Sequence, residues 1–294
     1  MKVASRAVAY VCLFSLFFLV TGFSSPEKET RKATWLWHTN LIASEQEEIL
    51  TFSREQGVNL LYLRIDMTQK PAYYQSFIRE ARRNGVQVHA LAGSPTWGLK
   101  DNQNRVLAMV DWVHTYNQRV SADEKFSGVH LDIEPYLLPE WKADPESVIR
   151  QWGENAEAYL DLVHQDPALE VGCDIPFWLD KYAMPKLPNT AFSQWLISQH
   201  DHVAIMSYRD QAEGPNSISS LVPQELGWAD ELGKKILLGV ETKQSGEGNY
   251  VSFYEEGTQY MNQEIDKLSE LMANHSSYGG IAVHSYEYWK VLRD

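Results

Sequence analysis

The sequence predicts an α/β protein built as a single (β/α)8 TIM barrel, and three observations carry that expectation. Short apolar segments alternate with helix-like segments eight times over about 260 residues, which is the usual length of one such barrel. No second cluster of strands follows, so one domain is the economical arrangement. An open doubly wound sheet is the rival, and it ordinarily carries a glycine-rich phosphate loop after an early strand. None is present.

From the N-terminus, Lys2 and Arg6 precede an apolar run from Ala7 to Val20, and the small residues Gly22, Ser24 and Ser25 follow. This is the pattern of an export signal over residues 1–24, cleaved between Gly22 and Pro26, which makes the mature chain secreted or held in the cell envelope. The run is shorter than the ~20 residues of a membrane span, and an uncleaved anchor is the alternative. A polar linker, 25–32, then leads into a barrel domain at 33–294.

The predicted strands are 34–38, 60–66, 86–92, 128–134, 170–176, 202–208, 235–241 and 280–285. Each is a short apolar or alternating run of strand length. Helices are expected at 71–83, closed by Gly85, and at 105–119, 145–164 and 262–274. Before them, Ser44 and Glu47 have the spacing of a capping box, with Gly57 as the stop. Trp112, Trp152 and Trp195 fall on helix-like segments and are expected to pack. Cys173 sits inside an apolar strand and is expected to be buried; once Cys12 leaves with the signal it is the sole cysteine, so no intrachain disulfide can form.

The stretch Gly128-Val-His-Leu-Asp-Ile-Glu-Pro-Tyr136 is the most informative. At the two-residue period of a strand, Val129, Leu131 and Ile133 share one face, and His130, Asp132 and Glu134 share the other. A row of three ionisable groups is costly to bury unless they pair or titrate, so it is a satisfied network or a site. Pro135 cannot donate to a ladder and ends the strand, which leaves Glu134 at its C-terminal tip.

Active sites of such barrels lie at the C-terminal strand ends. Those ends carry Trp37, His38, Arg64, Asp66, Ser94, Trp97, Asp132, Glu134, Phe177, Trp178, Tyr208, Asp210, Glu241, Tyr286, Glu287 and Trp289. Acids and flat rings dominate, the composition of a carbohydrate cleft: rings pack on sugar C–H faces, while carboxylates bind hydroxyls and move protons. The expected substrate is a polysaccharide. Overall charge is acidic, 26 basic against 39 acidic residues, and near −15 once Lys2 and Arg6 are removed with the signal. The basic residues are scattered, which argues against nucleic acid and anionic membranes as partners. Histidines 38, 89, 130, 202 and 284 are scattered over several strands and no His-Glu-x-x-His spacing occurs, so no metal and no cofactor is expected to be required. No sequence feature favours a particular oligomeric state.

Two segments resemble glycoside hydrolase family 18, the chitinase-type barrels. Their fourth strand ends in Asp-x-x-Asp-x-Asp-x-Glu and their sixth carries Met-x-Tyr; here these read Ser127-Gly-Val-His130-Leu-Asp132-Ile-Glu134 and Met206-Ser-Tyr208. Trp289 could fill the family's tryptophan near the end of the eighth strand, and Ala92-Gly93-Ser94 faintly echoes its Ser-x-Gly-Gly. The resemblance implies that Glu134 is the acid that protonates the glycosidic oxygen. It further implies that Asp132 orients a substrate 2-acetamido group whose carbonyl oxygen attacks the anomeric carbon, and that Tyr208 hydrogen-bonds that acetamide. Ser127 and His130 replace two of the family's aspartates, so the usual carboxylate pair beneath Asp132 is expected to be missing, with His130 bonding Asp132 from below.

The remaining candidates at the mouth are Trp37, Arg64, Trp178, Asp210, Glu241 and Trp289 as substrate contacts. Arg64 is equally suited to neutralise Asp66, Glu134 or Glu241, and Asp210 to cap its own loop. A second enzymatic route pairs Glu134 as acid/base with Glu241 as nucleophile, which requires carboxyls about 5 Å apart. A third reading is a glycan-binding barrel that holds sugar without cleaving it.

Overall fold

The structure, a computed structural model, describes residues 30–294. The expected signal segment therefore lies outside the described residues. Eight parallel strands close into a barrel: β1 (Arg31–Leu36), β2 (Leu60–Arg64), β3 (Gln87–Ala92), β4 (Gly128–Leu131), β5 (Glu170–Pro176), β6 (His202–Met206), β7 (Lys235–Glu241) and β8 (Tyr278–His284). Each pairs with its sequence neighbours, and β1 pairs with β8 to close the ring. Among the described residues, no helix is long and apolar enough to cross a membrane.

Alternation along the strands sorts their side chains. Outward residues such as Val129, Leu131, Val171, Ile175, Val203 and Ile205 join the main apolar core under the helices. Inward residues form a smaller cluster of Ala33, Trp35, Leu60, Tyr62, Leu91, Ala204, Leu237 and Ala282, interleaved with buried His89, His130, Asp174 and His202. Room for these rings comes from glycines. A Cβ on Gly128 would lie 2.6 Å from the His89 ring, and one on Gly172 would lie 2.3 Å from His202 Nε2.

Several boundaries differ from the sequence expectation. β1 starts at Arg31, which pairs with Gly280, and Lys32 pairs with Ile281; residues 31 and 32 are strand, not linker. Charged ends are tolerated there because Arg31 finds Glu170 and Lys32 lies over the Trp289 ring. Ser44 does not cap a helix. It ends a short helical turn, Leu41–Ser44, and the next helix, Gln46–Glu55, begins without a side-chain cap. Gly57 stops that helix with φ +68°, and Gly85 at φ +75° closes Pro71–Arg83, both in the region glycine enters without steric penalty. The other helices run Gln103–Arg119, Pro145–Val163 and Thr258–Met272. Trp152 and Trp195 are buried, Trp112 is half-buried against Tyr116, and Cys173 is buried. A small antiparallel hairpin, Ala183–Met184 with Leu187–Ala191, is an addition that the sequence pattern does not announce.

The helix Pro223–Leu232 carries Glu225 at 1% exposure, with Oε1 lacking a hydrogen-bond partner. Burial pushes this carboxyl from 4.5 up to about 7. A raised carboxyl pKa favours the fold while the group is protonated. Its contribution is full below pH 4.5 and is lost as pH rises through about 7, a change on the order of 3 kcal/mol. Glu225→Gln is expected to flatten that loss, read as a higher melting temperature than the parent above pH 7 with little difference near pH 4.5. Parallel melting curves across that window would show that Glu225 is not the group responsible.

Candidate active site

The expected acids meet at the C-terminal mouth of the barrel. β4 delivers Asp132 and Glu134, both half-buried, with the Asp132 amide still donating to Ala92 O in the ladder geometry. Pro135 opens a 3-10 turn, Pro135–Leu137, directly after Glu134. That turn brings the Tyr136 hydroxyl onto Glu134 Oε2, where it donates a short hydrogen bond. One carboxyl oxygen of Glu134 is thereby fixed.

The carboxylate expected to be missing beneath Asp132 is supplied by another strand. β4 and β5 run in register with His130 beside Gly172 and Leu131 beside Cys173, so Asp132 comes level with Asp174. Asp174 is 3% exposed. It accepts hydrogen bonds from Trp35 Nε1 at 3.1 Å and from His130 Nε2 at 2.9 Å. His130 therefore braces Asp174 and not Asp132, and burial keeps this imidazole neutral by lowering its pKa well below 6.5. Asp132 Oδ1 is buried without a partner. Burial first, and then the neighbouring carboxylates, raise both Asp132 and Asp174 well above the ordinary range, with Asp174 and Glu134 acting on Asp132 and Glu134 acting on Asp174. Both carboxyls are thereby biased toward their protonated form.

Tyr208, two residues past β6, is half-buried. Burial and the surrounding Glu241, Asp174, Asp132 and Glu134 raise its phenol well above 10, so it remains a donor. Its loop is pinned by Arg209, which donates to the Tyr208 carbonyl at 2.6 Å and lies over the Phe177 and Tyr250 rings. Trp37 and Trp178 are half-buried. Trp178 joins Tyr136, Trp141 and Tyr182 in an aromatic wall, with 5.0 Å between the Tyr136 and Trp178 ring centres. That wall stands next to the acid, since Tyr136 belongs to both.

Other candidates are placed differently from the expectation. Trp289 is 2% exposed and packs on Phe52 and under Lys32, outside the barrel; the helix Tyr286–Trp289 turns it away, and His284 is the β8 residue that faces inward. Glu241 reaches the mouth, but its oxygens are engaged: Oε1 accepts the Thr242 and Lys243 amides at 2.8 Å, and Oε2 meets His284 Nδ1 at 2.9 Å. It buttresses His284, whose Nε2 accepts the Trp37 indole N–H at 3.0 Å. Arg64 is exposed at the tip of β2 and forms no ion pair among the described residues, so the Arg64–Glu241 bridge is absent there. Asp210 is half-buried; burial and its neighbours Glu264 and Glu255 raise it, which sets it among a different acidic group from Asp132. Asp66 is held by Thr68 in its own loop.

Gly93, after β3, is pressed against this centre. A Cβ there would stand 1.7 Å from the Asp132 carbonyl oxygen and 2.4 Å from its carbon. Backbone atoms cannot rotate aside. Gly93→Ala is expected to push the β4 tip out of place, lowering turnover about 100-fold or more and stability by about 1–3 kcal/mol, checked by steady-state kinetics and thermal melting. Near-parental activity would mean that the β4 tip can move without consequence.

No protein-family model and no curated protein matches the sequence. Solved structures do match the fold. A chitinase from Chromobacterium violaceum superposes with TM-score 0.57 at 14% identity, covering 90% of this chain and 96% of that one. The fold is that of the chitinase-type barrels. A family 18 chitinase from Cycas revoluta, solved with (GlcNAc)3, gives 0.51 at 13% identity over 88% and 95%. The glycoside hydrolase domain of a Bordetella bronchiseptica protein gives 0.54 at 11% identity over 89% and 95%. Within this chitinase-type barrel the carboxylate beside Asp132 comes from β5. Sequence reasoning missed Asp174, although Glu170, Gly172 and Asp174 alternate on the face of β5 that matches His130 and Asp132.

Proposed function

We propose that the chain is a glycoside hydrolase that cleaves an N-acetylhexosamine-containing glycan, chitin-like or peptidoglycan, by acid catalysis with acetamide assistance. The observation that carries this reading is the Asp174 carboxyl brought level with Asp132, which restores a proton-sharing acid pair that the β4 sequence alone lacks. In the proposed reaction Glu134 gives its proton to the glycosidic oxygen as the bond to the anomeric carbon breaks. The substrate's acetamide oxygen bonds to that carbon from the opposite side. Asp132 accepts the acetamide N–H, and its partnerless Oδ1 is the free acceptor for that role. Tyr208 donates to the acetamide oxygen. Water then attacks the anomeric carbon, returns a proton to Glu134 and restores the acetamide.

Glu241 supports this route over the two-glutamate one, because three donors or partners already hold its carboxyl. Trp37 and Trp178 supply ring faces for sugar. Export through the 1–24 segment places the enzyme where such polymers are found, in the envelope or outside the cell. The test compares release of reducing ends from a glycan with its 2-acetamido groups and from the same glycan de-acetylated. Acetamide assistance predicts a loss of at least 100-fold on the second. Equal rates, with activity abolished in Glu241→Gln, would support the two-glutamate route, and tight retention with no new reducing ends would support a binding barrel.

A further inference from the structure

At the opposite, N-terminal end of the barrel, three groups converge that the hydrolase reading does not use. His89 from β3 and His202 from β6 are both fully buried, and Glu170 from β5 lies between them. His89 Nε2 is 3.5 Å from Glu170 Oε2, and His202 Nδ1 is 3.3 Å from Glu170 Oε1. One ligand atom from each of the three residues falls within 4.8 Å of the others. A tetrahedral zinc site with bonds of about 2.0–2.1 Å has ligand-to-ligand edges of about 3.3–3.4 Å, and each histidine stands near that distance from Glu170, one from each of its two carboxyl oxygens.

The pocket is built for these rings. Gly128 and Gly172 leave space that a Cβ would take from His89 and His202. His89 Nδ1 has no hydrogen-bond partner, and Nε2 has only the Glu170 carboxyl at 3.5 Å, a poorly satisfied arrangement for a buried imidazole. Tyr62 fixes His202 by an oxygen 3.1 Å from Nε2, the outer-shell arrangement that orients metal-binding histidines. Arg31 shows where positive charge is favoured. Its guanidinium binds Glu170 through two bonds, of 2.6 and 2.8 Å, and Nη1 lies 3.3 Å from His202 Nδ1. The Arg31 side chain is 25% exposed and borders a cavity of about 210 Å³ with Asn59, Gly85 and Gln87, into which it can withdraw.

We propose that His89, Glu170 and His202 form an accessory divalent-metal site of the zinc class, with Arg31 as the resident cation that a metal ion displaces. The site is separate from the mouth and plays no part in glycan cleavage. Bound metal would tie β3, β5 and β6 together at the face of the barrel associated with stability.

The test is calorimetric titration of the chelator-stripped protein with Zn2+, alongside thermal melting with and without Zn2+. One ion per chain is expected, with a Zn2+-dependent rise in melting temperature. Arg31→Met is expected to bind at least tenfold more tightly, since no guanidinium must be moved. Glu170→Gln and His89→Gln are expected to lose tenfold or more while keeping the parental circular dichroism. Absence of one-to-one binding in the parent, binding confined to Arg31→Met, or undiminished binding in Glu170→Gln would each overturn the proposal.

Discussion

Glu134→Gln is expected to lower turnover by about 100- to 10,000-fold with no loss of folding, the range that removal of a positioned acid produces. The amide keeps the shape of the carboxyl and can still accept the Tyr136 hydroxyl through its oxygen. It has no proton of suitable acidity to give to a departing sugar oxygen. The fold is insulated because Glu134 stands beyond β4 and makes no ladder bond that depends on its side chain. The measurement is release of reducing ends from insoluble glycan, with melting temperature as the control. A variant that cleaves as fast as the parent would remove Glu134 from the reaction.

Asp174→Asn is expected to be nearly as damaging, about 100-fold in turnover, although Asp174 need not touch the substrate. Its role is to let Asp132 exchange a proton without leaving the site, and an amide cannot do so. The substitution fits the space. The amide oxygen of the variant can accept the Trp35 indole N–H, and His130 can move its proton to the unpartnered Nδ1 and accept the amide N–H at Nε2.

A second readout follows from linkage. Burial raises Asp132 and Asp174 above their unfolded values, so their contribution to stability is full below the ordinary carboxylate range and is lost as pH rises through the raised values. The parent should therefore lose stability on the alkaline side as the pair gives up its last shared proton. Asp174→Asn, with one carboxyl left, should lose less. Melting curves of the two proteins that run parallel from about pH 4 to 9 would show that the acids do not share a proton.

The legible parts of the fold are those with strong local periodicity. Val129, Leu131 and Ile133 alternate with His130, Asp132 and Glu134, and they are buried under the helices in that arrangement. Gly57 and Gly85 mark helix ends because only a residue without a Cβ enters that backbone region freely. Less legible are positions where a local pattern competes with packing. Ser44 and Glu47 have capping-box spacing, yet the preceding turn already uses Ser44 as a helical residue. Trp289 lies just after a strand tip in sequence, but one helical turn rotates it onto Phe52.

The candidate site divides the same way. Asp132, Glu134 and Tyr208 can be named from single strands, because spacing along one strand places side chains on a known face and at a known height. Asp174 and the engagement of Glu241 by His284 cannot, since each depends on which strand lies beside which and at what register; the Tyr136 bond to Glu134 depends instead on the 3-10 turn that follows β4. By itself the sequence determined the succession of βα units, the inward acids of β4 and the end of the barrel at which they emerge. Only the closed tertiary structure decided which buried charges became neighbours, because lateral register between strands is set by the packing of the whole ring and leaves no mark on any one segment.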